Sequence, residues 1–300
     1  MIALIIIGVL VAVGIVIGLI EHSHLSVATP APTPPVVPVP PVSPVPPVTP
    51  TPPVVVPTPT PTPAPVPNEL VIAWINESQN NGALTLSDAD AASIVAALNL
   101  QVPDLKAAWP TLPVITNVVA TVNTVPSGAL KAYFLANADV AGALGYHDVD
   151  PQGDPYIRVF TETVLSNGGS ALSGSVSISV CASHEMCEAA VDPKCTATAT
   201  SPTGHSWALE TADPVESNFY TVTTPLGIVV AVSDFVYPAF FQNSPGPYDK
   251  LGILKAPFSI APGGYAIIDN QQSFGMLYPE WRQTTKAFPA ARTYRRLHQG

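Results

Sequence analysis

The stretch "ASHEMCEAAVDP", residues 182–193, decides how this chain is read. On a helix, residues four apart share a face, so His184 and Glu188 stand side by side and can offer one cation an imidazole nitrogen and a carboxylate oxygen. Glu185 lies about 100° further round the helix and is placed to take a proton from water beside that cation. This is the arrangement of the His-Glu-x-x-His zinc helix, whose glutamate is the general base, with Glu188 in place of the second histidine. The plain alternative is a helix with a solvated acidic face. Asp192 continues the row but stands roughly 12 Å along the axis from His184, too far to share its cation. It is expected to close the helix end or orient a ligand, and Pro193 ends the element there.

A further ligand must come from outside the helix. The segment "ALETADPVE" (208–216) offers Glu210, Asp213 and Glu216 with no Lys or Arg among them. Crowded carboxylates repel, and a divalent cation relieves the repulsion. The segment "GYHDVDPQGD" (145–154) begins like an EF-type calcium loop, but Pro151 interrupts it and Val159 stands where the bidentate Glu belongs. It reads as a surface turn or as a loop at the substrate edge. In the second case His147 polarises a carbonyl or serves as an extra ligand. Cys181, one turn before His184, is read as packing, with a soft ligand or a nucleophile as the alternative. The three cysteines (Cys181, Cys187, Cys195) are an odd number and form no disulfide framework, with a pair through Cys195 left open. There is no GxSxG elbow, P-loop or dinucleotide fingerprint.

Outward from the motif, two N-terminal segments explain why only 11% of the 300 residues are charged, where globular chains carry about 25%. Residues 2–20, "IALIIIGVLVAVGIVIGLI", form an uncharged run that spans roughly 28 Å as a helix, close to one bilayer core. No Lys or Arg precedes Lys106, so the basic start of a signal peptide is missing and an uncleaved membrane anchor is expected over 1–25. Gly14 and Gly18 form a GxxxG step through which two anchors could pair into a homo-oligomer. Residues 26–67 are expected to form a proline-rich stalk, its Pro/Val/Thr core extended at about 3.1 Å per residue. A domain over 68–300 follows, with a basic tail of Arg282, Lys286, Arg292, Arg295 and Arg296. The net charge of −10 argues against nucleic acid as the main partner.

Within the domain, 68–81 reads as a short helix and 87–99 as a clearer one, capped by Ser87 with Asp88 and Asp90 in its first turn. Strands are expected over 114–122, 130–136 and 156–165, and the motif helix over about 176–190. Further strand-like runs fall at 205–211, 218–224 and 227–236, and the last fifth reads as irregular. Helices set apart from a mixed sheet make an α+β domain.

The strings "ADVAGALGYHDVDPQGDPYIRVF" (138–160), "SHEMCEAAVDP" (183–193), "ALETADPVE" (208–216) and "VSDFVYPAFF" (232–241), in this order, resemble a family of zincin-like proteins of phages and bacteria, with metallopeptidase and virion-protein readings. The resemblance covers about residues 110–270. It implies a zincin-like fold with His184 and Glu188 as ligands, Glu210 or Asp213 completing the site, and Glu185 as base. The expected protein is then a membrane-anchored zincin-like metallopeptidase acting on peptide or cell-wall material, its domain extracytoplasmic or on a virion. Zinc is the expected cation, though the oxygen-rich set also suits calcium or manganese. The rival is a virion or surface attachment protein in which the cation only staples the domain.

Overall fold

A computed structural model describes residues 68–140, 143–269 and 274–277. The expected anchor, stalk and basic tail lie outside the described residues. No helix among the described residues is long and apolar enough to cross a membrane.

The chain opens with β1 (Glu69–Glu77), a short hairpin of β2 (Gln79–Asn80) and β3 (Ala83–Leu84), and α1 (Asp88–Ala108). Four strands follow, β4 (Val114–Ala120), β5 (Leu130–Leu135), β6 (Gly145–Val149) and β7 (Pro155–Phe160). Next come α2 (Thr161–Ser166), α3 (Ile178–Val191), β8 (Thr198–Thr200), β9 (Ser206–Ala208) and a 3-10 turn, Asp213–Val215. The chain continues through β10 (Phe219–Thr223), β11 (Val229–Ser233), α4 (Pro238–Phe241), β12 (Ala266–Asp269) and β13 (Phe274–Leu277).

The main sheet has the order β4-β1-β5-β7-β6. Its first four strands run parallel, and β6 is an antiparallel edge strand on β7. The domain is therefore α+β with a mixed sheet. The segment expected as a first short helix is instead β1, a central strand. Ile72, Ala73, Trp74 and Ile75 are all buried, because both faces of a central parallel strand are covered and no polar alternation marks it.

Both long helices pack on one face. Ile72 and Trp74 share a core with Ile94 and Leu98 of α1 and with Ile178, Ala182 and Met186 of α3. The Ser87 hydroxyl caps α1 as its sequence suggests, accepting from the Asp90 N–H at 3.1 Å. That helix then passes through Pro103 to Ala108, beyond the expected end. Leu98, Val102 and Leu105 remain buried on one side, and this burial outweighs the cost of about 3 kcal/mol that an interior proline imposes. The strand expected over 156–165 ends at Phe160 and turns into α2.

The motif helix α3 is capped by Ser177, whose hydroxyl accepts from the Val180 N–H at 3.2 Å. It is held between the sheet and the β10–β11 hairpin by a buried polar bridge. Gln101 of α1 donates to the Ser233 carbonyl at 2.8 Å, Ser183 donates to the Gln101 side chain at 2.7 Å, and the Ser233 N–H donates to Ser183 at 2.8 Å. Because both of its sides are packed, nearly all of α3 is buried, acids included. A second sheet, β13-β12-β9-β8, carries its own aromatic core around Trp207, Phe240 and Phe258. The turn leaving β9 and the residue leading into β12 face α3 and complete the site.

Candidate metal centre

The edge strand β6 lies close to α3 because Gly145 has no side chain. A Cβ there would meet the Cys181 Sγ at 2.5 Å and the Arg158 carbonyl oxygen at 2.9 Å. This close approach carries His147, two residues on, into the interior, where it is 3% exposed. His147 thus belongs to a buried strand and not to a surface turn. The turn itself is Asp150–Asp154, where the Asp150 carboxylate accepts from the N–H groups of Gln152 and Asp154, both at 2.9 Å.

From α3, His184 and Glu188 meet across one turn, with His184 Nε2 3.2 Å from Glu188 Oε1. Asp213, set by the 3-10 turn, places Oδ1 3.1 Å from the same nitrogen. Donors about 2.0–2.1 Å from a tetrahedral zinc stand about 3.4 Å apart, so these three atoms are spaced as a ligand set. Glu188 Oε1 is also fixed by the N–H groups of Ala212 and Asp213, at 3.1 and 3.2 Å. The Tyr265 hydroxyl hydrogen-bonds to Asp213.

Glu210 falls elsewhere. Its Oε2 is 3.7 Å from His147 Nε2, and it groups with His147 and Cys195. The other ring nitrogen of His147 faces Glu185 Oε2 at 3.4 Å and Glu188 Oε2 at 3.6 Å. Asp213 groups with His184 and Glu188, Glu210 groups with His147 and Cys195, and a third group joins His147, Glu185 and Glu188. His147 lies behind the Glu185 and Glu188 carboxylates, a position that would suit an extra ligand better than contact with a substrate carbonyl. Asp192 caps the C-terminus of α3, and its side chain accepts from the Ala197 N–H at 2.7 Å. That contact holds the loop carrying Cys195. All three cysteines are free thiols.

Among the described residues, His147 and His184 form the ion pairs seen with these carboxylates. Burial pushes the Asp213 carboxyl up, repulsion from Glu188 adds to this, and it reaches about 8. Burial and Glu188 also push Glu210 well above the carboxylate range. Glu188 is the exception. Burial works against its charge, but His184, through charge and a hydrogen bond, and then His147 hold it below its ordinary value. Both histidines are buried, which disfavours their charge. Glu188 and Asp213 nevertheless raise His184, and Cys195 and Glu210 raise His147, well above the usual imidazole range. The donors are buried and the carboxylates among them repel one another, a repulsion that a divalent cation would relieve. The donor set fits a divalent metal.

A narrow cleft, about 50 Å³ in volume, opens onto this cluster between the 175–177 segment and α3. Cys181, His184, Glu185, Glu188, Glu216 and Tyr265 reach its wall. Two contributors were not legible in the motif. Cys195 returns to the site through a left-handed turn, with φ +52°, after the Asp-Pro stop. Tyr265 comes from a segment without a pattern of its own. Compared with protein-family models, curated protein sequences and solved structures, the chain matches none.

Proposed function

We propose that this chain is a zincin-like metalloprotein, anchored in a membrane through residues 2–20, that hydrolyses amide bonds in peptide or cell-wall material. His184, Glu188 and Asp213 would hold the cation. When bound, a zinc ion there supplies Lewis-acid polarisation of a carbonyl and acidification of water. The zincin-like reading is supported by a mixed sheet whose antiparallel edge strand lies against the HExxE helix.

The observation that carries the catalytic part is the place of Glu185. It lines the cleft beside His184 and Glu188 and stands outside the His184–Glu188–Asp213 group, although it forms a further group of possible ligands with His147 and Glu188. Its carboxylate is free to accept a proton from water in the cleft and return it to the leaving amine. His147 Nδ1, 3.4 Å from Glu185 Oε2, steadies that carboxylate from behind. Glu185→Gln keeps the shape and removes the base. It should retain the cation and lower hydrolysis of peptide or peptidoglycan substrates by about 10²–10⁴. Hydrolysis that persists undiminished in this variant would remove the base mechanism.

One observation favours the rival reading, a surface or virion protein in which the cation only staples the fold. The donors are almost wholly buried, and a cleft of about 50 Å³ admits a few waters and no peptide until it opens. A cation-loaded wild type that cleaves nothing in a broad peptide and peptidoglycan screen gives the staple precedence.

A further inference from the structure

We infer that the chain holds a second cation, bound by His147, Cys195 and Glu210 beside the first. Three features converge on this. Ligand atoms of the three residues all lie within 4.8 Å of one another, and each residue is buried. His147 is 3% exposed, and its ring nitrogens stand 3.4–3.7 Å from the carboxylates around them, with no close hydrogen bond made. Glu210, 2% exposed, likewise leaves Oε2 unpartnered. Buried polar atoms left unpaired are costly, commonly by about 1–3 kcal/mol each. A cation joining His147 Nε2 and Glu210 Oε2, now 3.7 Å apart, satisfies both.

The two sides of the imidazole explain its placement. Its Nε2 faces Glu210, while Nδ1 faces Glu185 and Glu188 at 3.4 and 3.6 Å. A metal-ligating histidine characteristically directs its other nitrogen to a carboxylate, which fixes the tautomer. Glu188 lies between the two groups. One oxygen is turned to His184 and the other to His147.

Charge balance points the same way. His184 with the carboxylates of Glu188 and Asp213 balances one divalent ion. His147 with the Cys195 thiolate and the Glu210 carboxylate balances another. The thiol separates the two in preference, since sulfur suits zinc, and its replacement cobalt, but not calcium or magnesium. On binding, Cys195 loses its proton to solvent and the sulfur lone pair forms the bond, with no change of oxidation state.

The test uses the full-length chain in detergent, stripped with chelator and titrated with cobalt(II) alone. Two ions per chain are expected, with a sulfur-to-cobalt charge-transfer absorption accompanying one of them. Cys195→Ser should abolish that absorption and reduce the stoichiometry from two to one. Cys181→Ser, which alters the cleft cysteine, should leave both unchanged. Glu210→Gln, which retains the thiol, should weaken the absorbing site at least tenfold. His184→Ala should lose the other ion and keep the absorption. One cobalt per chain with no sulfur band overturns the second position and leaves the His184 site standing. A band that survives Cys195→Ser overturns the assignment of its ligand.

Discussion

Asp213 shows how far one side chain is bent to the needs of the site. Burial and the neighbouring Glu188 raise its carboxyl to about 8, so near neutral pH it holds a proton where a cation would sit. A cation must displace that proton. Binding should therefore release protons, and the apparent affinity should climb as pH rises towards about 8, by up to about tenfold per pH unit for one proton displaced. Calorimetry in buffers of different ionisation enthalpy reads the proton count directly. Asp213→Asn should weaken the cation at least tenfold and flatten this pH dependence. A binding enthalpy independent of buffer would contradict it. The pairing of His184 with Glu188 was legible because helical spacing alone brings the two together. The division of labour between Asp213 and Glu210 was not legible. It depends on how the chain bends between Glu210 and Asp213, which sends one carboxylate to each histidine. Cys195 was hidden for a related reason, since only the left-handed turn after Pro193 brings it back.

At the scale of elements, the site depends on how tightly β6 lies on α3. Gly145→Ala places a methyl group 2.5 Å from the Cys181 Sγ, 2.9 Å from the Arg158 carbonyl oxygen and 3.3 Å from Glu185 Oε1. The thiol can swing aside, but the backbone oxygen belongs to β7 and cannot. Overpacking of this kind costs about 1–3 kcal/mol, and here it also pushes His147 away from the carboxylates. The variant should show a lower urea midpoint with an unchanged slope, together with weaker cation binding. A wild-type midpoint would mean that strand and helix are less closely packed than the distances imply. The same scale shows where patterns mislead. The strands over 114–120 and 130–135 matched their β-branched and aromatic runs closely. The motif helix fell within two residues of its expected bounds. The failure was β1, whose consecutive apolar residues serve two buried faces and so mimic helical spacing. A run that continues from strand into helix, as at Phe160–Thr161, carries no signal for the change, because Thr161 and Val164 stay buried in either form.

For the whole molecule, the cluster couples stability to pH and, on the proposed reading, to a cation. An acid whose folded pKa lies above its unfolded value binds more protons folded than unfolded, so stability falls as pH rises between the two values. Asp213 stands at about 8, against about 3.9 for a free aspartate, and Asp234 is pushed to about 8 by burial and by Asp249. Their contribution is fully present below about pH 4 and is lost as pH rises through about 8. The raised histidines act in the same direction from about pH 6.5 upward, since their stabilisation is lost as pH climbs through their folded values. Glu188, held low by His184, opposes this only in acid, below the ordinary carboxylate range. With the cation removed by chelator, the urea midpoint should fall steadily from about pH 5.5 to about pH 8.5. Zinc at 100 to 1,000 times its dissociation constant should then restore about 3–4 kcal/mol at the alkaline end. For a domain of this size that is roughly 5–15 °C in melting temperature. Asp234 sets an internal control. Its partner is Asp249 on a separate loop, outside the ligand groups, so a shallower alkaline slope should survive in the zinc-loaded protein. Asp234→Asn should remove that remainder and leave the zinc-dependent part intact. A cation-free midpoint that stays level or rises over this range would show that the buried carboxylates are already neutralised by something other than protons, and the cation would lose its place as the counter-charge of the fold.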